Sequence, residues 1–110
     1  GVQALEDLSW RVAAVDQPEL VTLLRRRILE PLEAEGVFGA ELEASVRSYL
    51  EQGMSIPRAA ADQNLHVNTM RYRLRRFEEV TGMSLTDPAD LVDVIWVLSI
   101  GNLPPRATRL

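Results

Sequence analysis

The sequence predicts an all-α fold, a helical bundle, and three observations carry that prediction. Apolar residues recur at the helical interval along most of the chain. Helix-start residues precede the periodic stretches at Asp16 to Pro18, Ser55 and Asp87 to Pro88, and glycines close them at Gly53 and Gly82. At 110 residues, the chain is long enough for one domain with a modest core.

The elements follow in order. From Gly1 to Asp16, Leu5, Leu8, Val12 and Val15 keep helical spacing, although Trp10, Val12 and Ala14 also fit an alternating strand; the helix is favoured. A second helix starts at Pro18, with Asp16 or Gln17 at the cap and Glu19 in the first turn, where the helix dipole favours an acid. Leu20, Leu23, Leu24 and Ile28 form its apolar stripe. Pro31 is expected to kink or end it, with a short continuation over Leu32 to Glu35 before a break at Gly36 to Gly39.

From Ala40, the series Leu42, Val46, Tyr49 and Leu50 predicts a helix that stops at Gly53. Ser55 caps a short helix containing Ile56, Ala59 and Ala60, which ends near Gln63 and Asn64. Another helix starts at His66 or Val67 and runs to Thr81, with Gly82 as its stop. Asp87, Pro88 and Asp90 start a last helix through about Ile100, which Asn102, Pro104 and Pro105 terminate. Residues 1–39 thus form a helical lead-in, 40–103 the main domain and 104–110 a flexible tail.

Composition excludes several classes of function. Hydrophobic residues at 46% and charged residues at 25% are ordinary for a globular domain, so neither disorder nor a fibrous chain is expected. Without cysteine and with His66 as its one histidine, the chain lacks thiolate or multi-histidine metal sites and any paired nucleophile and base. No enzyme activity, cofactor or metal is expected. Asp87, Asp90 and Asp93 resemble a carboxylate cluster, but capping accounts for the first two. The apolar run from Leu91 to Ile100 is too short to span a bilayer, no signal peptide pattern is seen, and a cytoplasmic location is expected. Gly1 in place of methionine suggests a processed or excised fragment.

Net charge is -4, from 12 basic and 16 acidic residues, which taken alone argues against a nucleic-acid partner. Position overturns the average. Every basic residue is arginine, and Arg71, Arg73, Arg75 and Arg76 fall between His66 and Phe77 with no acid among them. Arginine offers a planar fork of donors suited to phosphates and guanine edges.

The short helix, tight turn and longer helix between Ser55 and Thr81 have the layout of a helix-turn-helix. Ala59 and Ala60 are small enough for the two helices to approach closely. Asn64 stands where a left-handed backbone is needed, a conformation asparagine tolerates well. On the second helix Met70, Leu74 and Phe77 cluster within roughly 60° and form the buried stripe. Asn68, Tyr72 and Arg75 lie opposite, with Thr69, Arg71 and Arg76 on the shoulders. Arg73 is nearer the buried edge, free either to reach a phosphate or to pair with an acid of the domain.

The run LHVNTMRYRLRRF, Leu65 to Phe77, resembles the C-terminal helix-turn-helix of PucR/CdaR-type bacterial transcriptional regulators, a fold similar to the Fis-like DNA-binding domain. The resemblance extends upstream through Glu41 to Gly53 and downstream through Glu78 to Leu91. Gln63 departs from the pattern, standing where the family usually has an apolar residue. The resemblance implies sequence-specific binding of double-stranded DNA, with His66, Asn68, Thr69, Arg71, Tyr72 and Arg73 in the contact region. Helical phase supports Asn68, Thr69, Arg71 and Tyr72 independently and adds Arg75 and Arg76 as backbone contacts. The expected arrangement puts the Val67 to Glu79 helix in the major groove. A homodimer is expected, through the last helix or through upstream domains. The rival expectation is a dimerisation or protein-interaction module that works through the apolar Leu91 to Ile100 helix.

Overall fold

The computed structural model describes residues 18–100. Within them the chain forms helices α1 (Pro18–Ala34), α2 (Gly36–Glu51), α3 (Ile56–Asp62), α4 (Val67–Thr81) and α5 (Pro88–Ile95), then a π-helical turn, Trp96–Ile100. The all-α expectation holds. The expected helix over Gly1 to Asp16, Trp10, the first cap and the tail after Ile100 lie outside the described residues.

Pro31 neither ends nor shortens the helix it sits in: α1 runs through it to Ala34. An interior proline costs about 3 kcal/mol or more, because it removes a hydrogen bond and crowds the preceding turn. Ile28 and Leu32 flank it and are 0% and 2% exposed. Burying two such side chains is worth about 1.5–3 kcal/mol each, enough to hold the helix together across the proline.

The expected break at Gly36 to Gly39 shrinks to a corner at Glu35, and α2 begins four residues before Ala40. Gly36 makes the corner in a left-handed conformation, φ 62°. Gly39 lies inside α2 for a different reason. A Cβ built on it would overlap the backbone carbonyl of Leu32, so the lack of a side chain lets α2 press against the end of α1. Glycine is therefore a packing residue here, and its usual meaning as a breaker misleads.

The later boundaries follow their caps. Beyond α2, Gly53 and Met54 are both left-handed, and the Met54 amide donates to the Tyr49 carbonyl at 2.7 Å. Ser55 accepts from the Arg58 amide to start α3, and Asp87 accepts from the Asp90 amide to start α5. Gly82, φ 72°, closes α4. The last helix differs from expectation, because its α-helical part stops at Ile95 and the turn after it is wider. That widening brings Val97 and Leu98, neighbours in sequence, both into the core at 2% and 1% exposure.

One core unites these elements. Ile28 and Leu32 from α1, Leu42 and Val46 from α2, Ala59 and Ala60 from α3, and Met70, Leu74 and Phe77 from α4 meet Met83, Leu85, Val94, Val97 and Leu98. Helix α4 packs on α1, α2 and α3, which fixes both its depth and its rotation. The loop after it is tied down twice: Glu78 accepts from the Leu85 amide at 2.7 Å, and Asp90 accepts from the Ser84 amide at 2.9 Å. No helix among the described residues is long and apolar enough to cross a membrane.

Candidate nucleic-acid interface

The α3–α4 unit is built as its sequence predicts. Ala59 and Ala60 are buried at 0% and 1%. Asn64 takes the left-handed conformation, φ 56°, and the Leu65 amide donates back to the Ala60 carbonyl at 2.8 Å. Leu65 packs half-buried against the core. Gln63 donates to Asp62, whose carboxylate also accepts from Ser48 of α2 at 2.7 Å. That bond fastens α3 to α2. The hydroxyl of Ser48 is the main cause that lowers the Asp62 pKa below its ordinary 3.8, with Gln63 adding to it.

His66 begins α4 as its cap. Its Nδ1 accepts from the Asn68 amide at 3.0 Å, so the ring hydrogen sits on Nε2, directed to solvent as a donor. Met70, Leu74 and Phe77 are buried, as their phase requires. Asn68, Arg71, Tyr72 and Arg75 are exposed, and Thr69 is half-buried. The Asn68 carbonyl oxygen accepts from Arg71 at 3.2 Å, so the two side chains stand as a pre-formed pair one turn apart. The Arg75 guanidinium lies over the ring of Tyr72, 5.7 Å from its centre, within range of a cation–π contact.

The four arginines are not equivalent. Arg73 lies 3.6 Å from the Glu41 carboxylate of α2, so of the two roles open to it the folded chain uses the intramolecular pair. Arg76 donates to Glu79 on its own helix at 2.6 Å, and this hydrogen bond raises its pKa further above the ordinary guanidinium value. Among the described residues no acid pairs with Arg71 or Arg75. The positive charge of α4 is therefore lopsided.

Each flank of α4 has its own neighbours. Tyr72 faces Phe38 of α2, their ring centres 6.4 Å apart. On the other flank Arg71, Arg75 and the acid Glu78 line a groove with Tyr49, Ile56, Leu74, Leu85 and Thr86. The pairing of Arg76 was legible, since Glu79 follows three residues later. Glu41, Phe38, Tyr49 and Thr86 were not, because they reach α4 from other elements and leave no local spacing to detect. The aspartates that resemble a cluster are dispersed in role: Asp87 caps α5, Asp90 holds the Ser84 amide and Asp93 is buried.

Residues 42–100 match the family model of the PucR C-terminal helix-turn-helix domain. An uncharacterized Bacillus subtilis protein, YsfB, is 35% identical over 52 residues, which is 47% of this chain and 14% of that protein. An uncharacterized protein in the pkwA 5' region of Thermomonospora curvata is 34% identical over 74 residues, 67% of this chain and 41% of that one. An uncharacterized Mycobacterium tuberculosis protein, Rv2242, is 31% identical over 102 residues, 93% of this chain and 24% of that protein. The chain thus spans less than half the length of these relatives. No solved structure gives a significant match.

Proposed function

The chain belongs to the PucR C-terminal helix-turn-helix family, and from that premise we propose that it binds operator DNA for a bacterial transcriptional regulator, with α4 in the major groove. The observation that carries the reading is the outward side of α4, where the bonded Asn68–Arg71 pair and Arg75 stand exposed with no acidic partner among the described residues. Arg71, with Asn68 and Thr69, reads base edges; a bidentate arginine to guanine is worth about 1–3 kcal/mol of discrimination. His66 through Nε2 and Tyr72 through its hydroxyl add contacts beside them. Arg75 supplies phosphate affinity. Arg73 and Arg76 are neutral as units with Glu41 and Glu79, and contribute to the backbone only as far as those acids let them go.

A family of DNA-binding regulator domains supports a role in binding rather than catalysis, in the bacterial cytoplasm. Pairing of two copies would match a two-fold operator. Half-buried Val92 and Ile95 on α5 and Trp96 at the start of the π-helical turn are apolar residues available for it. The test is binding of the wild-type chain and Arg71→Ala to DNA from upstream of its own gene, against a scrambled duplex. The wild type should prefer the upstream DNA, and the variant should lose most of that preference while keeping its thermal stability. Equal preference in both would exclude Arg71 from readout.

A further inference from the structure

The flank of α4 that carries Arg75 is more than an exposed cation. With Arg71 and the Glu78 carboxylate, Arg75 lines an open groove that also holds apolar Ile56, Leu74 and Leu85 and two hydroxyls, those of Tyr49 from α2 and Thr86 from the α4–α5 loop. Four separate elements converge on it, and the Thr86 hydroxyl also shares a 3.0 Å hydrogen bond with that of Ser84. The loop that brings Thr86 there is held in place by the bonds from Glu78 and Asp90 to the Leu85 and Ser84 amides. Tyr49 is half-buried and packs its ring on the core, yet its hydroxyl makes no hydrogen bond among the described residues. Glu78 spends one carboxylate oxygen on the Leu85 amide, and against its single charge the groove sets two guanidinium groups, Arg71 and Arg75, so that with the unpartnered Tyr49 hydroxyl it suits a ligand that is anionic and rich in acceptors.

We propose that this groove seats one backbone phosphate of bound DNA, held by the Arg75 guanidinium with the Tyr49 and Thr86 hydroxyls as neutral donors. The opposite flank does not take one. There the arginines are already matched by Glu41 and Glu79, and the Phe38–Tyr72 pair adds no charge of its own, the cation over the Tyr72 ring being Arg75 itself. One DNA strand is therefore gripped through α2, α4 and the α4–α5 loop together, while the other meets a surface with little net positive charge. The inference rests on the DNA-binding reading, but it assigns a residue, Tyr49, that lies outside the helix-turn-helix.

The experiment titrates the intact chain into a labelled mixed-sequence DNA duplex at several salt concentrations, because a phosphate contact is independent of base sequence. Arg75→Ala should weaken binding and lower the salt slope by about 1, whereas Arg76→Ala should leave the slope close to that of the wild type. Tyr49→Phe removes one oxygen that has no partner in the fold, so its melting temperature should be unchanged. It should weaken binding about tenfold with no change in salt slope, as expected for loss of a neutral donor to a charged acceptor. Should Tyr49→Phe bind as the wild type while Arg75→Ala is impaired, the phosphate seat is refuted and DNA binding stands. Equal slope losses in Arg75→Ala and Arg76→Ala refute the one-sided grip. A wild-type chain that binds no duplex overturns the seat together with the reading beneath it.

Discussion

The guanidinium of Arg73 on α4 lies 3.6 Å from the carboxylate of Glu41 on α2. This contact ties the proposed DNA-reading helix to the body of the domain and cancels one of its charges. It also places an acid beside the proposed DNA-reading helix, where its charge opposes the approach of a phosphate.

Glu41→Gln should therefore increase affinity for a mixed-sequence duplex and steepen the salt dependence by about one unit, since one more arginine is released to the backbone. Stability should change little, because exposed pairs contribute about 0–1 kcal/mol and Glu41 is 46% exposed. Anisotropy titrations across a salt series measure both. An unaltered slope would show that Arg73 stays out of reach of phosphate even when unpaired.

The corner between α1 and α2 predicts opposite grades of damage at two glycines. Gly39→Ala drives a Cβ into the Leu32 carbonyl and should cost about 2–3 kcal/mol. Gly36→Ala meets open space but keeps a positive φ, so it should cost about 1–2 kcal/mol. Urea denaturation of both variants tests the order, and a milder Gly39→Ala would contradict the close approach of the two helices.

Asn64 holds its left-handed turn with a side chain that merely tolerates it. Asn64→Gly should leave the midpoint of thermal unfolding nearly unchanged, whereas Asn64→Val should lose about 1–2 kcal/mol, because a branched Cβ crowds the backbone there. Similar losses in both would point to a side-chain contact instead of the backbone as the reason for asparagine.

The Ser48–Asp62 bond makes part of the stability depend on pH. Asp62 has its pKa depressed below 3.8, chiefly by the Ser48 hydroxyl, so its contribution is present above that value and is lost as pH falls through the lowered one. Ser48→Ala should consequently be less stable than the wild type at neutral pH, with the difference narrowing below pH 3.8. Parallel thermal melts across the acid range give the comparison. A difference that stays constant into acid would trace the defect to packing around the buried Ser48 alone.

The helix boundaries that caps define were legible without coordinates, since Ser55, His66, Gly82 and Asp87 act on amides within a few residues of themselves. Local rules failed where a residue answers to a distant neighbour. Pro31 and Gly39 signal breaks by propensity, yet the burial of Ile28 and Leu32 and the contact with the Leu32 carbonyl override it. The same division runs through the candidate site.

The sequence by itself determined the all-α class, the helix-turn-helix with its left-handed Asn64, and the face of α4 turned to solvent, because each depends on helical period and nearest-neighbour chemistry. Tertiary structure decided which of that helix's four arginines carry available charge. Glu41 approaches from α2 to hold Arg73, while Tyr49 and Thr86 gather beside Arg75 from two other elements. The potential of a surface is a sum over groups close in space, and packing, not chain order, sets those distances.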